Sequence, residues 1–337
     1  MKLLILSTYP YKSINLKNCK KQYHIYLYFI DKYIKKNFPE IEVIYKTLGD
    51  TGRSSRIKDF YKKQSYPKCD HCLVVANRGI KRRPDEFWNK IRSVTKYCIA
   101  TISANNSEVS REDVLFYQIP SGKSRKFKCR LINWCCEPLY CKPMQDKTKI
   151  NILIDHPYYG YGRMKKIDQT LQISNIVWNW AKDKDNVVVR RFCKGGIEVV
   201  NEKNFDSLEK YEQNNGLSYD EACKVYNTTD IFFVTHAECM GLVVLECAMA
   251  GALIVSPEGF IKRELLRNVH HVKLDNDFSI DKMDHIINSI DHAKSRRKVL
   301  PFSWENGVNT IIDTFQNWNL YKSKLVWNNI HRSLKIK

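Results

Sequence analysis

The sequence predicts an α/β protein of two successive domains, each built on a parallel sheet covered by helices. Three observations lead there. Short apolar runs alternate with longer segments of helical periodicity along most of the chain. A polar stretch holding Pro138 and Pro143 interrupts the alternation, and a second alternation follows it. The length, 337 residues, suits two domains of about 150 residues each.

The elements follow in order. Leu3 to Ser7 is a buried strand. It is too short for the core of a signal peptide, and Tyr9-Pro10-Tyr11-Lys12 follows it. Cys19 to Lys36 is a helix, because Tyr23, Leu27, Ile30 and Ile34 recur at spacings of three and four, and Pro39 stops it. Ile41 to Thr47 is the second strand, Arg56 to Lys63 a short helix, and Leu73 to Ala76 the third strand. Phe87 to Lys96 is a helix and Tyr97 to Ser103 a strand. Phe116 to Tyr140 has no clear period. After the polar stretch, Ile150 to Ile154 is a strand and Met164 to Lys182 a long helix. Val187 to Phe192 is a strand. Ser218 to Asn227 is a helix that Ser218 caps, with Glu221 three residues on. Ile231 to Val234, Leu253 to Val255 and His270 to Leu274 are strands. Leu242 to Ala250, Lys262 to Arg267, Ile280 to Ala293, Trp304 to Phe315 and Asn319 to Trp327 are helices. The chain divides as 1–145, 146–315 and a C-terminal piece, 316–337.

Composition narrows the setting. Apolar residues make up 43% and charged residues 27%, which is a globular balance. No run approaches the roughly 18 apolar residues of a membrane span, so no transmembrane segment is expected. The 12 cysteines are dispersed, several within apolar runs. That pattern predicts buried free thiols in a reducing, cytoplasmic compartment. Cys69 and Cys72 have zinc-ligand spacing, and Cys135, Cys136 and Cys141 would complete a set. However, Cys72 opens a core strand, and no metal site is expected. Lys plus Arg number 56 against 36 Asp plus Glu, a net charge of +20. The first helix interleaves Lys20, Lys21, Lys32, Lys35 and Lys36 with Tyr23, Tyr26, Tyr28 and Tyr33, and Lys81-Arg82-Arg83 follows. This basic N-terminal face permits contact with DNA, an anionic surface or a peripheral membrane. A compositional bias toward Lys, Asn, Ile and Tyr accounts for it better, since no nucleic-acid-binding motif accompanies it.

Residues 218–258 carry the most chemistry. Ile231 to Val234 ends in the loop Thr235-His236-Ala237-Glu238-Cys239-Met240, and Gly241 admits a close turn into Leu242 to Ala250. That helix is apolar except at Glu246, and a carboxylate there is costly unless something satisfies it. The amides of Met240, Gly241 and Leu242 lie at the helix N-terminus, where a phosphate is favoured. One loop and one helix thus offer an anion site and two carboxylates.

The run Glu238-Cys-Met-Gly-Leu-Val-Val-Leu-Glu246-Cys-Ala-Met-Ala-Gly-Ala-Leu-Ile-Val resembles the donor-site motif of retaining GT-B glycosyltransferases (group 1, family-4-like). In that motif Glu, seven residues and Glu sit inside a phrase like E-G-F-G-L-x-x-x-E-A-M-A-x-G-x-P-V-V. Cys239-Met240 replaces the usual Gly-Phe, and Leu253 a frequent Pro. The resemblance implies two Rossmann-like domains facing across a cleft. It implies an N-terminal acceptor domain, a C-terminal donor domain and a terminal helix crossing back to the first. It implies a UDP- or GDP-sugar donor, a hydroxyl acceptor on a glycan or glycoprotein, and no required cofactor. Glu246 would hold the ribose hydroxyls and Glu238 would touch the sugar. Met240, Gly241 and Leu242 would meet the diphosphate or sugar through their amides. Arg163 and Arg191, then Lys194, would offset the diphosphate charge. His156, just past the strand Ile150 to Ile154, joins Glu238 as a candidate catalytic residue, and it and His236 would lie near phosphate or sugar. The alternatives are a glucosyltransferase acting on hydroxylated DNA bases, a non-catalytic nucleic-acid-binding protein, and a sugar isomerase of the same architecture.

Overall fold

The computed structural model describes residues 1–7, 15–17, 22–47, 64–75, 85–103, 113–117, 129–131, 136–146, 148–155, 167–193, 196–200, 217–235, 242–261, 263–275 and 277–323. It divides into two compact units, one of residues 1–133 with 304–337, the other of residues 134–303.

The first unit holds β1 (Lys2–Ser7), α1 (Gln22–Asn37), β2 (Glu42–Thr47), β3 (Cys69–Val75), α2 (Asp85–Val94), β4 (Thr95–Ser103), β5 (Val114–Tyr117) and β6 (Cys129–Leu131). Its strands form one parallel sheet in the order β2-β1-β3-β4-β5-β6. β1 lies between β2 and β3, and Leu3 to Leu6 have no exposed surface, which is why that stretch reads as an unbroken apolar run. Phe87, Trp88 and Ile91 of α2 pack on Leu4, Leu6, Cys72 and Val74. Arg56–Lys63 lies outside the described residues. α2 ends two residues before the sequence-predicted helix. Thr95 begins the strand, and its hydroxyl donates to the Ile91 carbonyl at 2.8 Å, closing the last turn. β5 and β6 come from the stretch without a readable period, as strands too short to show one.

The second unit holds β7 (Ile150–Ile154), α3 (Ile167–Ala181), β8 (Val187–Cys193), β9 (Gly196–Val199), α4 (Tyr219–Asn227), β10 (Ile231–Phe233), α5 (Leu242–Met249), β11 (Leu253–Pro257), α6 (Arg263–Leu266), β12 (His271–Leu274), α7 (Met283–Asn288) and α8 (His292–Val299). The sheet order is β12-β11-β10-β7-β8-β9, parallel except for the antiparallel β8–β9 pair. Its core joins Ile152 and Ile154 of β7, Val177 and Trp180 of α3, Phe233 of β10 and Met283 of α7. The single helix predicted over Ile280–Ala293 is instead a 3-10 turn followed by two helices. Asp291 breaks it by accepting from the Lys294 N–H at 2.8 Å as an N-cap.

α9 (Trp304–Gln316) follows the second unit in sequence but belongs to the first. Trp304 is buried against Tyr26 and Phe29 of α1, with ring centroids 5.0 and 5.6 Å apart. Glu305 accepts from Lys36 and Asn37 at 3.0 and 3.1 Å. Phe315 stacks on the buried ring of His71 at 4.8 Å. Burial holds that histidine well below its ordinary range, at about 4, so it is a neutral core residue.

Both unit boundaries differ from those read in the sequence, 145/146 and 315/316. The Cys136 N–H donates to the Phe302 carbonyl, and Arg296 of α8 donates to the carbonyls of Pro138 and Cys141. Gln145 donates to the carbonyls of Thr229 and Ala250. The polar, proline-bearing stretch is therefore fastened along its length to the second unit. A composition shift marked the region but could not show these bonds.

Cys69, Cys72, Cys98, Cys136, Cys141, Cys223 and Cys247 are buried thiols, and none of them is in a disulfide. Among the described residues no group of acidic, cysteine or histidine side chains could hold a metal ion, and Cys69 and Cys72 lie in a different unit from Cys136 and Cys141. No described helix is long and apolar enough to cross a membrane.

Candidate functional site

The second unit's topology locates a site before any side chain is considered. The chain runs β7, β8, β9 to one side, then returns to lay β10, β11 and β12 on the other side of β7. The order therefore reverses between β7 and β10. Ligands of open α/β sheets bind beyond the strand C-termini at such a reversal. Here those ends are Ile154, paired with Phe233, and the residues just after them.

Two elements frame this end. α4 starts at Ser218, whose hydroxyl accepts from the Glu221 N–H at 3.3 Å, while the Glu221 carboxylate accepts from the Ser218 N–H at 2.7 Å. This reciprocal cap is the one the sequence predicts. It fixes Tyr219 as the first helical residue. α5 follows β10 and ends at Gly251, whose φ of +103° only glycine adopts without strain. A Cβ there would also meet His292 Cβ at 3.2 Å and Gln145 Nε2 at 3.3 Å.

Glu246, in the second turn of α5, is 3% exposed, and its Oε1 has no hydrogen-bond partner among the described residues. Burial pushes its carboxyl up to about 8, and the nearby Tyr219 hydroxyl offsets this only in part. Its neighbours are thiols and phenols. Cys141 and Cys223 bring their sulfurs to 3.6 Å, and burial drives the Cys141 and Cys247 thiols and the Tyr219 and Tyr226 phenols well above their ordinary values. These four groups are neutral near pH 7, and no cation acts on Glu246 among the described residues. The molecule thus keeps an unsatisfied acid in the second turn of a buried helix, which is costly without a ligand.

The switch point itself is built by Asp155 and Thr235. The Asp155 N–H donates to the Phe233 carbonyl at 2.9 Å, and the Thr235 hydroxyl donates to the Asp155 carbonyl at 2.9 Å. Thr235 is fully buried, whereas Asp155, the residue after β7, is half-buried. The Asp155 carboxylate adds a small electrostatic contribution to the raised Cys247 thiol, after burial and Glu246. Neither Asp155 nor Tyr219 was singled out from sequence. Their signals were slight: a lone acid closing the apolar run Ile150 to Ile154, and an aromatic residue directly after a helix cap.

Among the sequence-predicted site residues, Arg191, Leu242 and Glu246 are described. Leu242 is the partly exposed first residue of α5. Arg191 is 1% exposed at the C-terminal end of β8, opposite Ile154 on β7 and Glu198 on β9. The neighbouring Arg190 is engaged elsewhere, donating to Asn151 at 2.7 Å and Thr228 at 3.1 Å, and is a packing residue. Glu238, His156, Arg163, Lys194, Met240 and Gly241, with His236, lie outside the described residues.

No family model matches this chain, and no curated protein matches it. Solved structures do. A sucrose-phosphate synthase from Thermosynechococcus elongatus superposes with a TM-score of 0.61 at 9% identity, over 95% of this chain and 99% of that one. A glycosyltransferase from Rickettsia africae ESF-5 gives 0.55 at 9% identity, over 94% and 98%. A UDP-GlcNAc 2-epimerase from Neisseria meningitidis, bound to UDP-GlcNAc, gives 0.54 at 12% identity, over 94% and 100%. At such identities the likeness is one of fold. With its two helix-flanked sheets and the reversal of strand order in the second, the chain has the GT-B-like architecture of two Rossmann-like domains.

Proposed function

We propose that this chain is a retaining glycosyltransferase that binds a nucleoside diphosphate sugar in its second unit and passes the sugar to a hydroxyl on a glycan or glycoprotein. One observation carries the reading: Glu246, a buried acid with an orphaned oxygen, in an otherwise apolar helix beside the strand-order reversal. A ribose diol suits that position. Two hydroxyls donate to one carboxylate, satisfy its lone pairs and restore its charge. The Glu-x7-Glu spacing supports the same assignment and adds Glu238 on the sugar and the helix N-terminus on the diphosphate. Arg191, Arg163 and Lys194 offset the charge that develops on the leaving diphosphate. His156 is assigned to phosphate or sugar. The acceptor oxygen attacks the anomeric carbon from the face the diphosphate leaves, and the departing phosphate oxygen takes the acceptor's proton. The first unit is assigned to the acceptor.

The test is a calorimetric panel of UDP- and GDP-sugars, run with the wild-type protein and Glu246→Ala. One donor binds saturably, and the variant weakens it about ten- to a hundredfold, the range for losing a charged hydrogen-bond acceptor. Sugar turnover without any added acceptor would replace the transferase reading with an isomerase one. Binding unaffected by Glu246→Ala would remove the ribose assignment.

A further inference from the structure

We infer that the cavity at the N-terminal end of the first unit's sheet is a glycan-binding site, with Tyr97 and Trp318 as its apolar surface and Asp70, His71, Gln316 and Asn319 as its hydroxyl partners. The inference goes beyond the donor-site reading and does not rest on it.

The cavity holds about 630 Å³ and draws its walls from distant parts of the chain. Asp70 and His71 lie at the start of β3, and Tyr97 lies near the start of β4. Gln316 ends α9, and Trp318 and Asn319 follow it. This is the end of the sheet opposite to the strand C-termini, where ligands of open α/β sheets bind.

The polar side of the cavity is unfinished. His71 is 4% exposed, and its Nδ1 has no hydrogen-bond partner among the described residues. Its ring packs on Phe315 and Tyr97, with centroids 4.8 and 5.5 Å away. A buried imidazole nitrogen left unbonded is costly. A hydroxyl removes that cost in either tautomer, because it both donates and accepts. Asp70 accepts from the Lys2 N–H through Oδ2 at 2.7 Å, which leaves Oδ1 for a second donor. The exposed amides of Gln316 and Asn319 supply further donors and acceptors. Against these groups stand the rings of Trp318 and of Tyr97, which is 42% exposed. A pyranose has the matching surfaces, with hydroxyls around its rim and C–H groups on its faces to pack on aromatic rings.

Charge disfavours the rival ligands. Asp70 carries the one charged side chain among the residues lining the cavity, and it repels anions. The Lys96 ammonium already lies over the Tyr97 ring, 4.7 Å from its centroid, so a cation finds that position taken. A neutral polyol remains.

The experiment titrates the full chain with maltotriose, mannotriose, galactotriose and triacetylchitotriose, and with phosphate and tetramethylammonium as charged probes. NMR follows the ring signals of His71 and Trp318. Calorimetry gives affinities for the wild type, Tyr97→Ala and Asn319→Ala, with unfolding temperatures recorded alongside. Both substituted side chains are exposed, so both variants should unfold within a few degrees of wild type, and either remains informative if the other is unstable. The expected result is saturable binding of one trisaccharide that moves both ring signals. Each variant should weaken it about three- to tenfold, the range for one lost hydrogen bond or ring contact. Equal binding by wild type and both variants, or binding that leaves the ring signals in place, puts the glycan elsewhere and overturns the inference. Failure of all the trisaccharides to bind the folded wild type overturns it too. Ring signals moved by phosphate or tetramethylammonium and by no trisaccharide would replace the glycan with an ion. None of these outcomes depends on nucleotide-sugar binding.

Discussion

Glu246 gives the molecule a pH signature opposite to that of most structural carboxylates. Its carboxyl sits at about 8 in the folded protein against an ordinary 4.5, because burial disfavours the charge. Between those values the folded state holds a proton that the unfolded state has lost. The contribution to stability is therefore complete below about pH 4.5 and disappears as pH rises through about 8. Two histidines run the other way. His71 and His271 are held near 4 by burial, so each withdraws stability as pH falls from about 6.5 through about 4. The wild-type curve mixes these effects, and the difference between wild type and Glu246→Gln isolates one. In urea unfolding, the wild type should lose a few kcal/mol relative to the variant between about pH 5 and 8. A flat difference would show that the carboxylate is not buried in the free protein. The same acid links ligand binding to protons. Hydroxyl donors favour the charged form, so donor binding below about pH 8 should release up to one proton. Calorimetry in buffers of different ionisation enthalpy reads that number directly.

At the scale of elements, the helices that frame Glu246 are held at their ends, and each end can be cut. Ser218→Ala removes a reciprocal cap and should cost about 1 kcal/mol in denaturant unfolding. Because Tyr219 is the next residue, the variant should also lower donor affinity. Gly251→Ala forces a side chain into a left-handed φ and against His292, and should cost about 1–3 kcal/mol. These two ends were legible in the sequence, one as Ser-x-x-Glu and the other as a Gly after an apolar helix. So were the strands β1, β7, β10 and β11, whose runs are apolar because both sheet faces are covered. Other elements were not legible. β9 pairs antiparallel with β8 across two residues, and its four residues, Gly196–Val199, carry no period of their own. The break at Asp291 lay inside a run whose apolar spacing continues on both sides, so only the cap bond reveals it. For the site, the motif supplied Glu246 but not its surroundings. Tyr219, Cys141 and Cys223 meet it from positions far apart in sequence, and such meetings are written in tertiary packing alone.

At the scale of the whole molecule, the first unit depends on a helix encoded after the second. Trp304 fills the space against Tyr26 and Phe29, and Phe315 covers His71. Trp304→Ala should therefore cost about 3–5 kcal/mol, and its effect should fall on the first unit. Hydrogen exchange would show it as lost protection in α1 and β3, with α4 and α5 unchanged. Uniform loss across both units would mean that the two unfold as one. The arrangement also bears on synthesis. The second unit is one continuous stretch, residues 134–303, whereas the first is in two pieces. On a ribosome adding about 5–20 residues each second, α1 and its sheet emerge and then wait roughly ten to thirty-five seconds for α9. During that interval Tyr26 and Phe29 have no Trp304 to cover them. The newborn chain thus completes its later half first, and the earlier half is a client for any chaperone that recognises uncovered aromatic surface.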